Sequence, residues 1–157
     1  MSKNSETPYK LCANPWLKIY YIKRDYEMIT LIPLSGNFTI SQVADYSKIP
    51  PEIFKSGFYS VTKTGEEISI ISDCTTRFPD IKSSEGWKAF RVEGILDFSL
   101  VGIINAITGP LKDNKITVNV LSTFNTDYIF VKNESFRTAI EVFRSSGSIK
   151  VKEESKI

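Results

Sequence analysis

The sequence predicts an α+β fold, with antiparallel strands and helices gathered on one face of the sheet. Three observations predict it. Short apolar or alternating runs bounded by Gly, Pro and Asn recur from Glu27 to Ile71, the pattern of strands and hairpins. Two segments, Leu100–Leu111 and Phe136–Phe143, place apolar residues at helical spacing. These segments alternate with strand-like runs in the order β-α-β-β-α-β, a split βαβ unit whose two helices cover one sheet face.

Taken in order, residues 1–26 read as an N-terminal extension. Its aromatic segment Trp16-Leu17-Lys18-Ile19-Tyr20-Tyr21 suits a sheet edge or a partner subunit. Residues 27–74 form a first, strand-rich lobe, a reduced version of the unit that follows. Within it Met28–Leu34 is a strand with stop signals at Pro33 and Gly36, and Phe38–Ala44 alternates Phe38, Ile40, Gln42 and Ala44 on one face. Ser47–Ser56, with Pro50-Pro51, is a short helical or irregular connection. Phe58–Thr62 and Ile68–Ile71 flank Thr64-Gly65-Glu66 as a hairpin. The polar stretch 75–86, with Pro79 and two serines, is the expected linker.

Residues 87–152 form the second lobe, and 153–157 a short tail. Trp87–Glu93 is a strand that stops at Gly94. Leu100, Ile103, Ile104, Ile107 and Leu111 share one helical face, with Ser99 or Asp97 available as N-cap and Pro110 expected to kink or end the helix early. Ile116–Phe124 and Tyr128–Lys132 are strands joined by the turn Asn125-Thr126-Asp127. Phe136, Ala139, Ile140 and Phe143 line a second helix, Gly147 is its stop, and Ser148–Glu153 is the last strand.

Composition excludes more than it identifies. The 157 residues include 20 basic and 18 acidic side chains interspersed along the chain, for a net charge of +2. That distribution argues against a nucleic-acid partner, whose binding needs basic charge gathered on one face. No histidine occurs, which removes His-dependent nucleophilic sites, histidine bases and the H-E-x-x-H zinc site. The eight glycines form neither G-x-G-x-x-G nor G-x-x-x-x-G-K. No cofactor or metal is expected. A carboxylate-pair or lysine-based enzyme stays possible, but no spacing asks for one. The polar start lacks a secretory h-region, and the apolar run Ile95–Ile107 is too short for a bilayer and contains Asp97. Cys12 and Cys74 make no C-x-x-C and suit reduced thiols. A cytoplasmic protein without a membrane partner is the expectation.

The string Gly94-Ile-Leu-Asp-Phe-Ser-Leu-Val-Gly-Ile-Ile-Asn-Ala-Ile107, followed by Leu121-Ser-Thr-Phe-Asn-Thr-Asp-Tyr-Ile-Phe-Val131, resembles ACT domains. It is similar to those of small bacterial ACT proteins and of a cytosolic arginine sensor, and more distantly to those of aspartokinases. The upstream strings Gly57–Thr64 and Glu67–Ile71 resemble a degenerate first ACT lobe. The resemblance implies two ferredoxin-like lobes and a free amino acid, not a reaction, at a lobe interface. It also implies a homodimer, since one two-lobe unit needs a copy to make four lobes. The rival reading is a protein-interaction module with a vestigial pocket that docks on an enzyme or signalling complex.

The ligand-binding candidates that the resemblance implies are Leu96, Asp97, Phe98, Ser99, Leu100 and Val101 in the loop before the first helix, and Ser122, Thr123, Phe124 and Asp127 after the second strand. A helix N-terminus offers free N–H groups to a carboxylate. Asp127 falls where the arginine sensor pairs an aspartate with the guanidinium, a bidentate charge-assisted contact. Ser99-Leu100 stand where the sensor's loop carries further acidic character, so a neutral or aromatic amino acid stays open. Each candidate also has a structural reading. Asp127 suits turn capping, Asp97 and Ser99 suit N-capping, and Phe98 and Phe124 suit a core or interface.

Overall fold

The structure, a computed structural model, describes residues 28–73 and 81–155. The aromatic segment at 16–21, both cysteines and part of the expected linker lie outside them. The described strands are β1 (Ile29–Val43), β2 (Tyr59–Lys63), β3 (Ile68–Ser72), β4 (Lys82–Val92), β5 (Val118–Ser122), β6 (Asp127–Lys132) and β7 (Ile149–Val151). Two helices, α1 (Ile103–Asp113) and α2 (Asn133–Ser145), complete the second half. Between β1 and β2 the chain makes two short 3-10 turns, Tyr46–Lys48 and Pro51–Lys55, the second opened by Pro50-Pro51 as proline geometry favours. No helix among the described residues is long and apolar enough to cross a membrane.

All seven strands belong to one sheet, in the order β2-β3-β1-β4-β6-β5, with β7 paired to β1. The two stretches expected as separate strands, Met28–Leu34 and Phe38–Ala44, are one strand. Gly36 adopts φ +95°, the register with β4 shifts between Leu34 and Ile40, and the chain bends through the irregularity instead of stopping. Lys88 Nζ donates to the Gly36 carbonyl at 2.8 Å across that bend. The two halves of β1 have different neighbours. Residues 29–31 run parallel to β7, residues 39–43 antiparallel to β3, and both halves pair with β4.

This topology departs from the plain split βαβ order. β6 lies between β4 and β5 as that unit requires, but β1 takes the place beside β4 and displaces β7 outward by one strand. Strand β4 also begins at Lys82, inside the stretch expected as linker, where Ser83 and Ser84 pair with Ser41 and Ile40.

Strand alternation divides the core. Phe90 and Val92 of β4, with Ile129 and Val131 of β6, face the helices and pack with Ile107, Leu111, Ala139 and Phe143. Their neighbours Trp87, Ala89 and Phe130 point the other way, onto Leu34, Phe38 and Ile71. On that second face Phe58 contacts Phe38, Phe130 and Tyr128 edge-on at 5.5, 6.1 and 5.0 Å between ring centres, a geometry that ring quadrupoles favour. A third cluster, Val43, Ile49, Ile53, Ile68 and Ile70, seals the 3-10 turns against β1 and β3.

The helices differ from expectation at their ends. α1 starts at Ile103 with Gly102 as its N-cap at φ +86°, so neither Asp97 nor Ser99 caps it, and Leu100 lies outside the helix. Pro110 does not end it. The helix runs to Asp113, and the Pro110 carbonyl accepts from the Asn114 backbone and side-chain amides. α2 stops where expected, with Gly147 at φ +71° past its C-cap Ser146.

Phe90 is fully buried, stacked on Phe136 at 4.8 Å and edge-on to Phe143 at 5.3 Å. Phe90→Ala is expected to lower unfolding stability in urea by roughly 3–5 kcal/mol, the range for deleting a core aromatic. A loss below about 1 kcal/mol would show that the helices do not depend on this side chain.

Candidate functional site

Three segments converge at one end of the sheet: the loop after β4, the first turns of α1, and the β5–β6 turn. β4 ends at Val92, and Gly94 at φ +93° turns the chain away. Leu96 N–H then donates to the Asn125 carbonyl at 2.7 Å, which ties the loop to the β5–β6 turn. Asp97 closes the loop on itself. Its Oδ1 accepts the Ser99 N–H at 2.8 Å and its carbonyl accepts the Leu100 N–H at 3.0 Å. Hydrogen bonds from the Ser99 hydroxyl and then from its N–H hold the Asp97 carboxyl below the ordinary carboxylate range.

The β5–β6 turn is closed by threonines. Thr123 N–H and hydroxyl both donate to the Thr126 carbonyl, at 2.9 and 2.8 Å, and Thr126 N–H donates back to the Thr123 hydroxyl at 3.3 Å. Asp127 takes no part, so the turn-capping role open to it in the sequence is filled by Thr123. Instead Asp127 is the first residue of β6, and strand alternation puts it on the face of Ile129 and Val131, toward α1. It is 9% exposed, and its carboxylate makes no hydrogen bond or ion pair among the described residues.

Between these segments lies a cavity of about 590 Å³. Eight of the ten candidates line it: Leu96, Asp97, Phe98, Leu100, Ser122, Thr123, Phe124 and Asp127. Ser99 and Val101 fall outside its wall. Ser99 is spent on the Asp97 turn, and Val101 is 62% exposed. The sequence reading missed the helix side of the wall, Gly102 to Asn105 and Thr108, and the turn residues Asn125 and Thr126. The helix was placed a turn too early, which hid its opening. Gly102 before an apolar run was the available signal.

The cavity's chemistry is polarised. Its wall holds two carboxylates, Asp97 and Asp127, and neither a lysine nor an arginine. Opposite charge is supplied by the start of α1. The first intrahelical bond runs from Ala106 N–H to the Gly102 carbonyl, so the preceding N–H groups have no helical acceptor. At the mouth Phe98 and Phe124 meet edge-on at 5.4 Å, each 79% exposed. Leu100 of the wall is exposed too, as are Ile95 and Val101 of the same loop. An acceptor of cations, a donor set for carboxylates and an apolar lip thus share one opening.

Residues 82–145 match the ACT domain family model, a regulatory, ligand-binding family. Among curated proteins, the chain is 33% identical over 122 residues to "Cytosolic arginine sensor for mTORC1 subunit 1" of Bos taurus, covering 68% of this chain and 37% of that protein. The Homo sapiens protein of the same name is 33% identical over 102 residues, covering 60% and 31%. The chain therefore spans about a third of the length of these relatives. Among solved structures, protein Atu0741 from Agrobacterium tumefaciens superposes with a TM-score of 0.74 at 27% identity, over 82% of this chain and 96% of that one. The regulatory subunit of aspartate kinase from Thermus thermophilus shares the fold, with a TM-score of 0.53 at 6% identity over 74% and 96% of the two chains. An ACT domain thus occupies residues 82–145 of the chain.

Proposed function

We propose that the protein binds a free amino acid with a basic side chain, arginine first among them, and acts as a sensor without catalysing a reaction. The Asp127 carboxylate carries this reading: it makes no hydrogen bond or ion pair among the described residues and opens onto a cavity whose wall has no cationic side chain. A guanidinium or ammonium group in the cavity would meet such a carboxylate with charge-assisted hydrogen bonds. The free N–H groups at the start of α1 suit the ligand's α-carboxylate. The curated relatives named as arginine sensors support the same choice of ligand.

The exposed rim of Ile95, Phe98, Leu100, Val101 and Phe124 supports a partner over the mouth. A second copy of this chain is the partner proposed, related by two-fold symmetry so that two equivalent pockets form between lobes. The same rim supports the rival reading, a docking module for an enzyme or signalling complex. The two part on ligand response.

In a thermal-shift screen of the twenty amino acids, arginine is expected to raise the melting temperature, with lysine second, because a ligand that binds only the folded state stabilises it by mass action. Asp127→Asn should weaken arginine binding by calorimetry roughly 10- to 100-fold, the worth of one charged hydrogen bond. A flat screen removes the basic-ligand reading and leaves the docking module, whereas an unchanged arginine affinity in the variant removes Asp127 from the site. Sedimentation at micromolar concentration is expected to give a dimer, and Phe98→Glu with Phe124→Glu a monomer. A monomeric parent chain contradicts the pairing.

A further inference from the structure

Thr126 belongs to the cavity wall, but its buried hydroxyl is already engaged with the sheet. It is 6% exposed, and its Oγ1 donates to the Val92 carbonyl at 2.7 Å. The backbone register between β4 and β6 ends at Arg91 opposite Tyr128. Past that pair the chains part, β4 leaving through Glu93-Gly94 and the β5–β6 turn closing at Thr126. The Thr126 hydroxyl supplies one more bond beyond the end of the ladder, from the turn to the last residue of β4. Its backbone carbonyl also receives both Thr123 donors that close the turn. Thr126 is therefore the point at which the turn is fixed to the sheet.

Asp127 sits between the two attachments, with the Tyr128 ladder pair on one side and Thr126 on the other. Its carboxylate makes no bond of its own, so its position is set by the backbone that carries it. Charge-assisted contacts lose strength steeply with misplacement of the order of 1 Å. We infer that Thr126 is a positioning residue, which through Val92 sets where the Asp127 carboxylate meets a ligand cation. This inference rests on the reading of the cavity as a basic amino-acid site.

The test is the preference for L-arginine over citrulline, its uncharged isostere, measured by calorimetry on the full chain. Thr126→Val keeps the shape and removes the hydroxyl. It is expected to lower arginine affinity about 5- to 10-fold, the scale of one hydrogen bond, while citrulline binding holds within about twofold. Thr126→Ser keeps the hydroxyl and should retain the preference of the parent chain. If Thr126→Val does not fold, Thr126→Ala against Thr126→Ser carries the same comparison. Equal losses for both ligands, an unchanged arginine affinity in Thr126→Val, or a serine variant as weak as the valine one overturns the inference while the site reading stands. A parent chain that binds no arginine overturns the site reading and this inference with it.

Discussion

Strand β4 is the constraint on which the rest of the molecule depends. It is central in the sheet, flanked by β1 and β6, and from Trp87 to Val92 it sends buried side chains to both faces. Phe90 and Val92 face the helices, while Trp87 and Ala89 face the aromatic cluster of Phe38, Phe58 and Phe130. A strand buried on both sides cannot slip by one residue without exchanging its two sets of side chains. The register of β4 therefore fixes that of β1 and β6. Lys132 reinforces it near the strand's start, with Nζ bonded to Ser84 Oγ and the Glu85 carbonyl and lying 4.3 Å from the Trp87 ring centre.

The site follows from where that strand ends. Beyond Arg91 the ladder with β6 ends, and the β5–β6 turn is tied to the loop before α1 by Leu96 to Asn125 and to the end of β4 by Thr126 to Val92. The parity that points Ile129 and Val131 into the core brings Asp127 to the same face at the strand's mouth. An apolar side chain there would have continued the core. A carboxylate ends it instead and faces a helix start of the opposite polarity.

Much of this was legible in the sequence, because it rests on periodicity and composition. The βαββαβ order, the α2 face of Phe136, Ala139 and Phe143, the Thr64-Gly65-Glu66 hairpin and the Gly147 stop are local patterns, and the structure contains them. What the sequence hid is non-local or depends on one glycine. Gly36 reads as a stop, but with β4 alongside it becomes a bend in a continuous strand. Gly102 moves the start of α1 past Leu100, which shares the helical spacing yet lies in the loop. The placement of β1 between β4 and β7 is a pairing between halves of the chain, and no local pattern encodes it. At the site the turn residues misled for the same reason. Asp127 looks like a turn cap until β6 is seen to start on it, and Thr126 reads only as a turn residue until its hydroxyl meets the Val92 carbonyl.

The central claim is that the Asp127 carboxylate waits for a cation. The most direct measurement is the Asp127 side-chain carboxyl resonance in ¹³C NMR, followed as L-arginine is added to the labelled protein. The account predicts a saturable shift of that resonance, with amide shifts at the start of α1 saturating at the same concentration. A resonance that stays fixed while arginine saturates the protein elsewhere would contradict it.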